Sequence, residues 1–412
     1  MKAKNRDEKN RDEKNPDEKS RGQAAKRSAM EAERPSGGLD RGIGQIVLVF
    51  QGGGALGAYQ AGVYQAMHEA GVEPDWVIGT SIGAINASLI AGNRPQDRIA
   101  KLRQFWRRIE QAPMIESLAR FPLLGAMLRN WSTVAQGVGG FFEPNPLAFL
   151  GQQVPLTAEA VGYYSTHPLQ ATLEDLVDFE LIESGAPRLT VGAANVRTGE
   201  MRYFDSREAK ITVKYVMASG ALPPAFPAIR IDGDLYWDGG ILSNTPVEVV
   251  FDDNPRKDSI VFAVHIWNPR GPEPQTIWQV MNRQKDIQYS SRAVSHIARQ
   301  RQIHRLRHII AELAKRLPEA ERKSEAVREM AGYGCLTRMH VVRLLAPGLE
   351  EDDHTKDIDF SHAGISARWE AGYRDTSAAL GEMPWNADFD PLEGFILHEF
   401  RREPVLATPN MT

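Results

Sequence analysis

Cysteine is almost absent. Of 412 residues only Cys335 carries a thiol, which excludes an internal disulfide and a cysteine-rich zinc site and fits a reducing compartment. No run approaches the ~18 uninterrupted apolar residues of a membrane-spanning helix. The charged N-terminus has no apolar stretch before Ile46, so no secretory signal is expected. Charge of one sign is also lacking: a formal net charge of −4, with 25% charged residues, gives no overall pull toward nucleic acid. The expectation is a cytoplasmic chain, peripheral to membranes at most. Its length allows two or three domains, and 35 Gly with 25 Pro suit an α/β protein with many loops.

Residues 4–18 repeat Lys-Asn-Arg-Asp-Glu with almost no apolar content. Such a segment cannot bury enough surface to offset its chain entropy, so a disordered charged tail is expected over 1–42. Order is expected from Gln45-Ile-Val-Leu-Val-Phe50, a continuous apolar run suited to a strand buried on both faces. A glycine loop, Gln51 to Gly57, and a helical pattern over 58–70 follow. Pro74 to Ile78 reads as a second strand, and a small-residue helix runs to Gly92. Two strand–turn–helix units in succession imply a parallel sheet, with reactive groups at the carboxyl ends of its strands.

Asp97 to Gln111 reads as a charged amphipathic helix. Residues 121–164, rich in Leu, Phe, Gly and Pro, suit either an insertion lining an apolar pocket or a packed helical subdomain. Strands are expected at 189–195 and 200–204, a hairpin over Ile229 to Tyr236, and a last core strand at Ser259 to Ile266. Beyond Pro269 to Pro274 a basic helix is expected from Asn282 to Leu317. Its apolar side would carry Ile297, Leu306, Ile309, Ile310, Leu313 and Leu317. It would either dock on its own domain or lie on an anionic bilayer. One more strand at 341–345 and a helix within 357–380 complete the pattern. The expected domains are 43–268, a helical extension over 269–404, and a loose tail over 405–412.

Three motifs carry chemistry. Gly79-Thr80-Ser81-Ile82-Gly83 is the G-x-S-x-G pattern of a nucleophile elbow, in which a strand turns sharply into a helix and exposes a serine. A serine that merely caps a helix would look the same. Gly52-Gly53-Gly54 at a helix start can aim backbone N–H groups at an oxyanion. Gly52, Gly54 and Gly57 also satisfy G-x-G-x-x-G, but no acid stands at a strand end about 20 residues on, as dinucleotide binding would need. A serine needs a base. Asp238, in Trp-Asp-Gly-Gly, could act directly if burial raised its proton affinity, or within a Ser81–Asp238–His265 triad.

In type, order and spacing, Gly52-Gly-Gly-Ala-Leu-Gly57, Gly79-Thr-Ser-Ile-Gly83 and Asp238-Gly239-Gly240 together resemble the patatin-like phospholipases. Residues 218–227 and Asn244-Thr-Pro246 look like that family's remaining blocks. The resemblance spans roughly residues 43–268. It implies a three-layer α/β/α fold and a Ser–Asp dyad, with Ser81 as nucleophile, Asp238 as proton acceptor and Gly52, Gly53 and Gly54 as oxyanion hole. His265 is then structural, and no metal or cofactor is needed. Leu56 departs from the pattern, since many relatives carry Arg or Lys there. The segment after 268 is similar to an uncharacterised extension of some bacterial members. The implied activity is hydrolysis of lipid carboxylic esters. Alternatives are an esterase of short acyl or hydroxyacid oligoesters, and a scaffold whose extension binds a protein partner.

Overall fold

The computed structural model describes residues 44–111, 137–150, 155–185, 187–349, 352, 354–390 and 393–400. The expectations for residues 1–42, 121–136 and 405–412 lie outside these.

Gln45–Phe50 (β1) is a central strand. Its alternate side chains are buried on opposite faces, Leu48 and Phe50 on one, Val47 and Val49 on the other. Trp76–Thr80 (β2) pairs with it in parallel, two residues later than the sequence suggested, because the strand continues through Gly79 and Thr80. A two-stranded sheet joins Glu143–Pro144 (β3) to Tyr164–Ser165 (β4). Arg188–Asn195 (β5) adds in parallel to β2 and carries the antiparallel Met201–Asp205 (β6). The expected hairpin is Ile229–Ile231 (β7) and Asp234–Asp238 (β8), turning at Asp232 and Gly233. Ser259–His265 (β9) flanks β1 on its other side.

β9 is not the last core strand. Met339–Leu345 (β10) pairs in parallel with it and Phe395–Glu399 (β11) with β10, giving the order β11-β10-β9-β1-β2-β5-β8-β7, with β6 on β5. The segment after residue 268 therefore extends the same sheet.

Helices cover both faces. Ala58–Glu69 (α1), Ile82–Ala91 (α2), Pro95–Arg108 (α3) and His167–Leu176 (α4) share one core with Leu48, Phe50, Phe262 and Val264. Val213–Ser219 (α5) packs beside β5. Ile277–Arg316 (α6) contributes Ile297 to the opposite core, with Val47, Ile78, Val261 and Val341. It starts at Thr276, whose hydroxyl accepts from the Gln279 N–H while the Gln279 side chain accepts from the Thr276 N–H, a capping box. Its expected apolar side is only partly buried: Ile297 is buried, but Leu306, Ile309 and Leu313 face outward. Gln300, His304 and His308 are the buried neighbours instead.

His362–Glu382 (α7) crosses α1 at backbone contact. A Cβ on Gly372 would lie 2.0 Å from the Tyr59 carbonyl oxygen, and one on Gly62 would lie 1.9 Å from that of Trp369. The crossing is fixed by hydrogen bonds from Tyr59 to Asp375 (2.9 Å) and from Trp369 to Gln65 (2.7 Å). Among the described residues no helix is long and apolar enough to cross a membrane.

Candidate active site

The turn from β2 into α2 places Ser81 at φ 57°, ψ −128°, a conformation that costs a non-glycine residue on the order of 1–3 kcal/mol. The turn is tight because a Cβ on Gly79 would sit 2.2 Å from the Gly83 carbonyl oxygen. Two contacts hold the strained residue. The Ser81 N–H donates to Ser219 Oγ (3.0 Å), and that hydroxyl donates to the Gly192 carbonyl (2.6 Å). Ser219, at the end of α5, thus fastens the elbow to β5.

The sheet register brings Asp238 to Ser81. β2 pairs with β5 as far as Thr80 opposite Gly192, then leaves at the elbow. The next β5 residue, Ala193, pairs with Asp238. Antiparallel β8 occupies the edge that the turning chain vacates, and its last residue arrives beside the serine. The Ser81 hydroxyl lies close enough to the Asp238 carboxylate to pull its pKa down. Gly240 N–H donates to Asp238 Oδ1 at 2.7 Å. Asp238 is only 2% exposed. Burial pushes its carboxyl up to about 6, against the opposing pull of the Ser81 hydroxyl and the Gly240 N–H.

The glycine loop lies across from this pair, and one of its expected donors is engaged elsewhere. Gly52 N–H is held by Asn244, by its side-chain oxygen at 3.1 Å and its carbonyl at 3.2 Å. The Gly52 carbonyl accepts from Asn244 Nδ2 (3.1 Å) and Trp267 Nε1 (2.8 Å). Gly52 is therefore an anchor, not a free donor, which corrects its expected place in the oxyanion hole. The N–H groups of Gly53, Gly54 and Ile82 find no acceptor among the described residues. Gly57 packs on Ile82, and Gly239 packs against the Gly192 carbonyl.

His265 stays apart. It ends β9, which β1 separates from β2, and strict alternation puts it on the Val261 and Ala263 face. Burial, aided by Arg343, holds its imidazole down to about 3, so it is neutral.

Ser81 and Asp238 open onto a cleft of about 210 Å³. One wall is aromatic: Phe142 meets Tyr164 at 4.9 Å and Phe226 at 5.4 Å, and Phe141 meets Phe360 at 5.8 Å between ring centroids. Phe141, Phe142 and Tyr164 come from the stretch read as a pocket-lining insertion, and they do line it. The segment after 266 contributes Trp267, Tyr289, Asp357 and Ile358 to the lining, besides Phe360 in the aromatic cluster. Sequence reasoning missed Ser219, Asn244, Trp267 and Tyr289. Ser219 and Asn244 lie in blocks singled out above without a role, and Ile82 had a signal, since in an elbow the residue after the nucleophile supplies an N–H.

A family model described as patatin-like phospholipase matches residues 48–251, and a second, described as patatin phospholipase, matches 287–392. Lysophospholipase nte1 of Aspergillus terreus is 26% identical over 261 residues, covering 58% of this chain and 14% of its own length. Lysophospholipase NTE1 of Yarrowia lipolytica is 24% identical over 221 residues, covering 54% and 12%. The chain thus spans about a seventh of the length of the curated relatives it matches. Among solved structures, VipD from Legionella pneumophila aligns with a TM-score of 0.34 at 15% identity, over 82% of this chain and 67% of that one.

Proposed function

Because the chain belongs to the patatin-like phospholipase family, we propose that it is a serine acyl hydrolase that cleaves carboxylic esters of lipids through an acyl-enzyme on Ser81. The observation that carries this reading is the Ser81 hydroxyl set beside a buried carboxylate, in an apolar cleft with three N–H groups that find no acceptor among the described residues. Asp238 takes the hydroxyl proton as Ser81 Oγ bonds to the ester carbonyl carbon. The oxyanion forms against the N–H groups of Gly53, Gly54 and Ile82. Collapse breaks the ester C–O bond, and the proton passes from Asp238 to the departing alcohol. A water then gives its proton to Asp238, attacks the acyl carbon, and releases the acid as Ser81 regains its proton. The aromatic wall would hold the acyl chain. The lysophospholipase names of the relatives support a lipid ester as substrate.

A carboxyl held near 6 must be ionised to act as base. On a p-nitrophenyl acyl ester, kcat/KM should therefore rise with pH and level off above about 6. His265→Ala should stay within about 3-fold of wild type, because the imidazole is remote and neutral. Inactivity of wild type on a panel of esters would defeat the proposal. A loss beyond ~100-fold in folded His265→Ala would revive the triad.

A cytoplasmic location with peripheral contact to a lipid surface belongs to the same proposal. Leu306, Ile309 and Leu313 are exposed on α6, and Arg301 and Arg305 lie in the same stretch. A basic, partly apolar helix surface suits anionic headgroups. In flotation with anionic vesicles, Arg305→Glu combined with Leu313→Ser should lower the bound fraction several-fold. Unchanged binding would remove α6 from the contact.

A further inference from the structure

The lining of the cleft has two chemistries. The aromatic cluster suits an acyl chain; the C-terminal segment, besides Phe360 in that cluster, contributes Tyr289 and Asp357. Tyr289 is set rigidly. Its ring stacks on Trp267, with centroids 4.8 Å apart and planes at 30°, and Trp267 is itself bonded to Gly52. Its backbone carbonyl accepts from Gln51 Nε2 at 3.3 Å. Its hydroxyl has no hydrogen-bond partner among the described residues, although it lies on the wall of the site. Lys285, one turn before Tyr289 on α6, bonds both Asp357 carboxylate oxygens, at 2.7 and 3.0 Å. The Asp357 carbonyl lies against Gly54, so this turn abuts the oxyanion loop.

Among the described residues that line the cleft, the charged ones are Asp238 and Asp357, and none is Lys or Arg. Leu56, beside the glycine loop, is buried and lines a separate, smaller recess. A phosphate in the cleft would face the Asp238 carboxylate and an Asp357 already paired with Lys285, with no Lys or Arg among the described lining residues to bind it. A hydroxyl fits better, because it can donate to Asp357 and accept from Tyr289.

We propose that Tyr289 and Asp357 form the subsite for the alcohol part of the ester, and that this part is an uncharged, hydroxyl-bearing group such as the glycerol of a monoacylglycerol. The inference rests on the acyl-hydrolase reading above. Burial, with Asp357 and Asp238 nearby, holds the Tyr289 phenol above its ordinary range, so it keeps its proton and donates. Both residues are positioning residues, since they bind the leaving alcohol without entering the proton path.

The test compares three soluble esters of one short acyl chain on the full-length protein: 1-monoacylglycerol, its 3-phosphate, and the p-nitrophenyl ester. Wild type should prefer the monoacylglycerol to the phosphate by at least about 10-fold in kcat/KM. Tyr289→Phe, which keeps the ring on Trp267, and Asp357→Asn should each lower kcat/KM on monoacylglycerol about 5- to 10-fold, mainly through KM. Losses on the p-nitrophenyl ester, whose leaving group carries no hydroxyl to bind, should be smaller, so that the ratio of kcat/KM on monoacylglycerol to that on the p-nitrophenyl ester falls at least about 3-fold in each variant. Equal or greater activity on the phosphate, or equal losses on both uncharged esters, would overturn the subsite. Failure of wild type on all three would instead defeat the underlying reading.

Discussion

Ser81→Ala is expected to lower kcat for ester hydrolysis by at least about 10⁴-fold, leaving only what the oxyanion donors and binding supply. The loss is large because the reaction needs an acyl acceptor at one point, at the mouth of α2 and in contact with Asp238. The neighbouring Ser219 cannot take its place, because it is buried and bonded to Gly192 and to the Ser81 N–H. The fold should survive. Alanine meets the same strain at φ 57° as serine, and the Ser219 contact is to the backbone, so it is retained. Circular dichroism and the unfolding midpoint should match wild type while turnover disappears. Substantial residual turnover in a pure, folded sample would place the nucleophile elsewhere.

Asp238→Asn should cost about 10³- to 10⁴-fold in kcat and yet make the protein more stable. The amide can still accept from Gly240 N–H and remains about the size of the carboxyl, but it cannot take the serine proton. The stability effect follows from the raised carboxyl. Below an unfolded value near 3.8 both states are protonated and the site carries no penalty. As pH rises toward about 6 the unfolded chain releases its proton first, so folding is opposed by an amount that reaches its full size above about 6. Two units correspond to about 3 kcal/mol, an upper bound on what the neutral amide recovers at pH 7 to 8. Denaturant melts of both proteins at pH 4 and pH 8 should show the gain at pH 8 and little at pH 4. A destabilised variant at pH 8 would mean that the carboxylate is better solvated in the fold than its burial implies.

Much of this site was legible in the chain because its parts are local. The apolar run at 45–50, the glycines and the Ser81 elbow each report a turn or strand whose constraints act over a few residues. Asp238 could be singled out by the two glycines after it. What joins them was not legible. The pairing of Ala193 with Asp238 depends on β8 filling the place that β2 leaves, a long-range register that no short motif encodes. The diversion of Gly52 to Asn244 could not be foreseen from glycine spacing, since any of the three N–H groups could have been the anchor. β11 went unread because Phe-Ile-Leu-His-Glu is short and its His398 meets His340 across the strands, a polar pair where alternation would favour apolar residues. The apolar pattern of α6 misled for a related reason. The side it buries includes Gln300, His304 and His308, and His304 bonds the Thr337 carbonyl at 2.7 Å. Periodicity therefore selected the outer side.

The functional consequence of those late strands and helices is that the C-terminal segment helps to build the site. α7 meets α1 backbone to backbone, and α6 and the turn at Asp357 help to line the cleft. The segment contributes to the proposed chemistry through Tyr289 and Asp357, next to a loop that Trp267 and Asn244 hold in place.

The central claim is that the acyl group passes through Ser81. Its most direct test is rapid acid quenching of wild type during turnover of a p-nitrophenyl acyl ester, followed by mass spectrometry of the digested chain. The account predicts an acyl adduct on the peptide bearing Ser81, formed with a burst of p-nitrophenol and absent from Ser81→Ala. Turnover with no adduct on that peptide, or an adduct on a different residue that persists in Ser81→Ala, would contradict it.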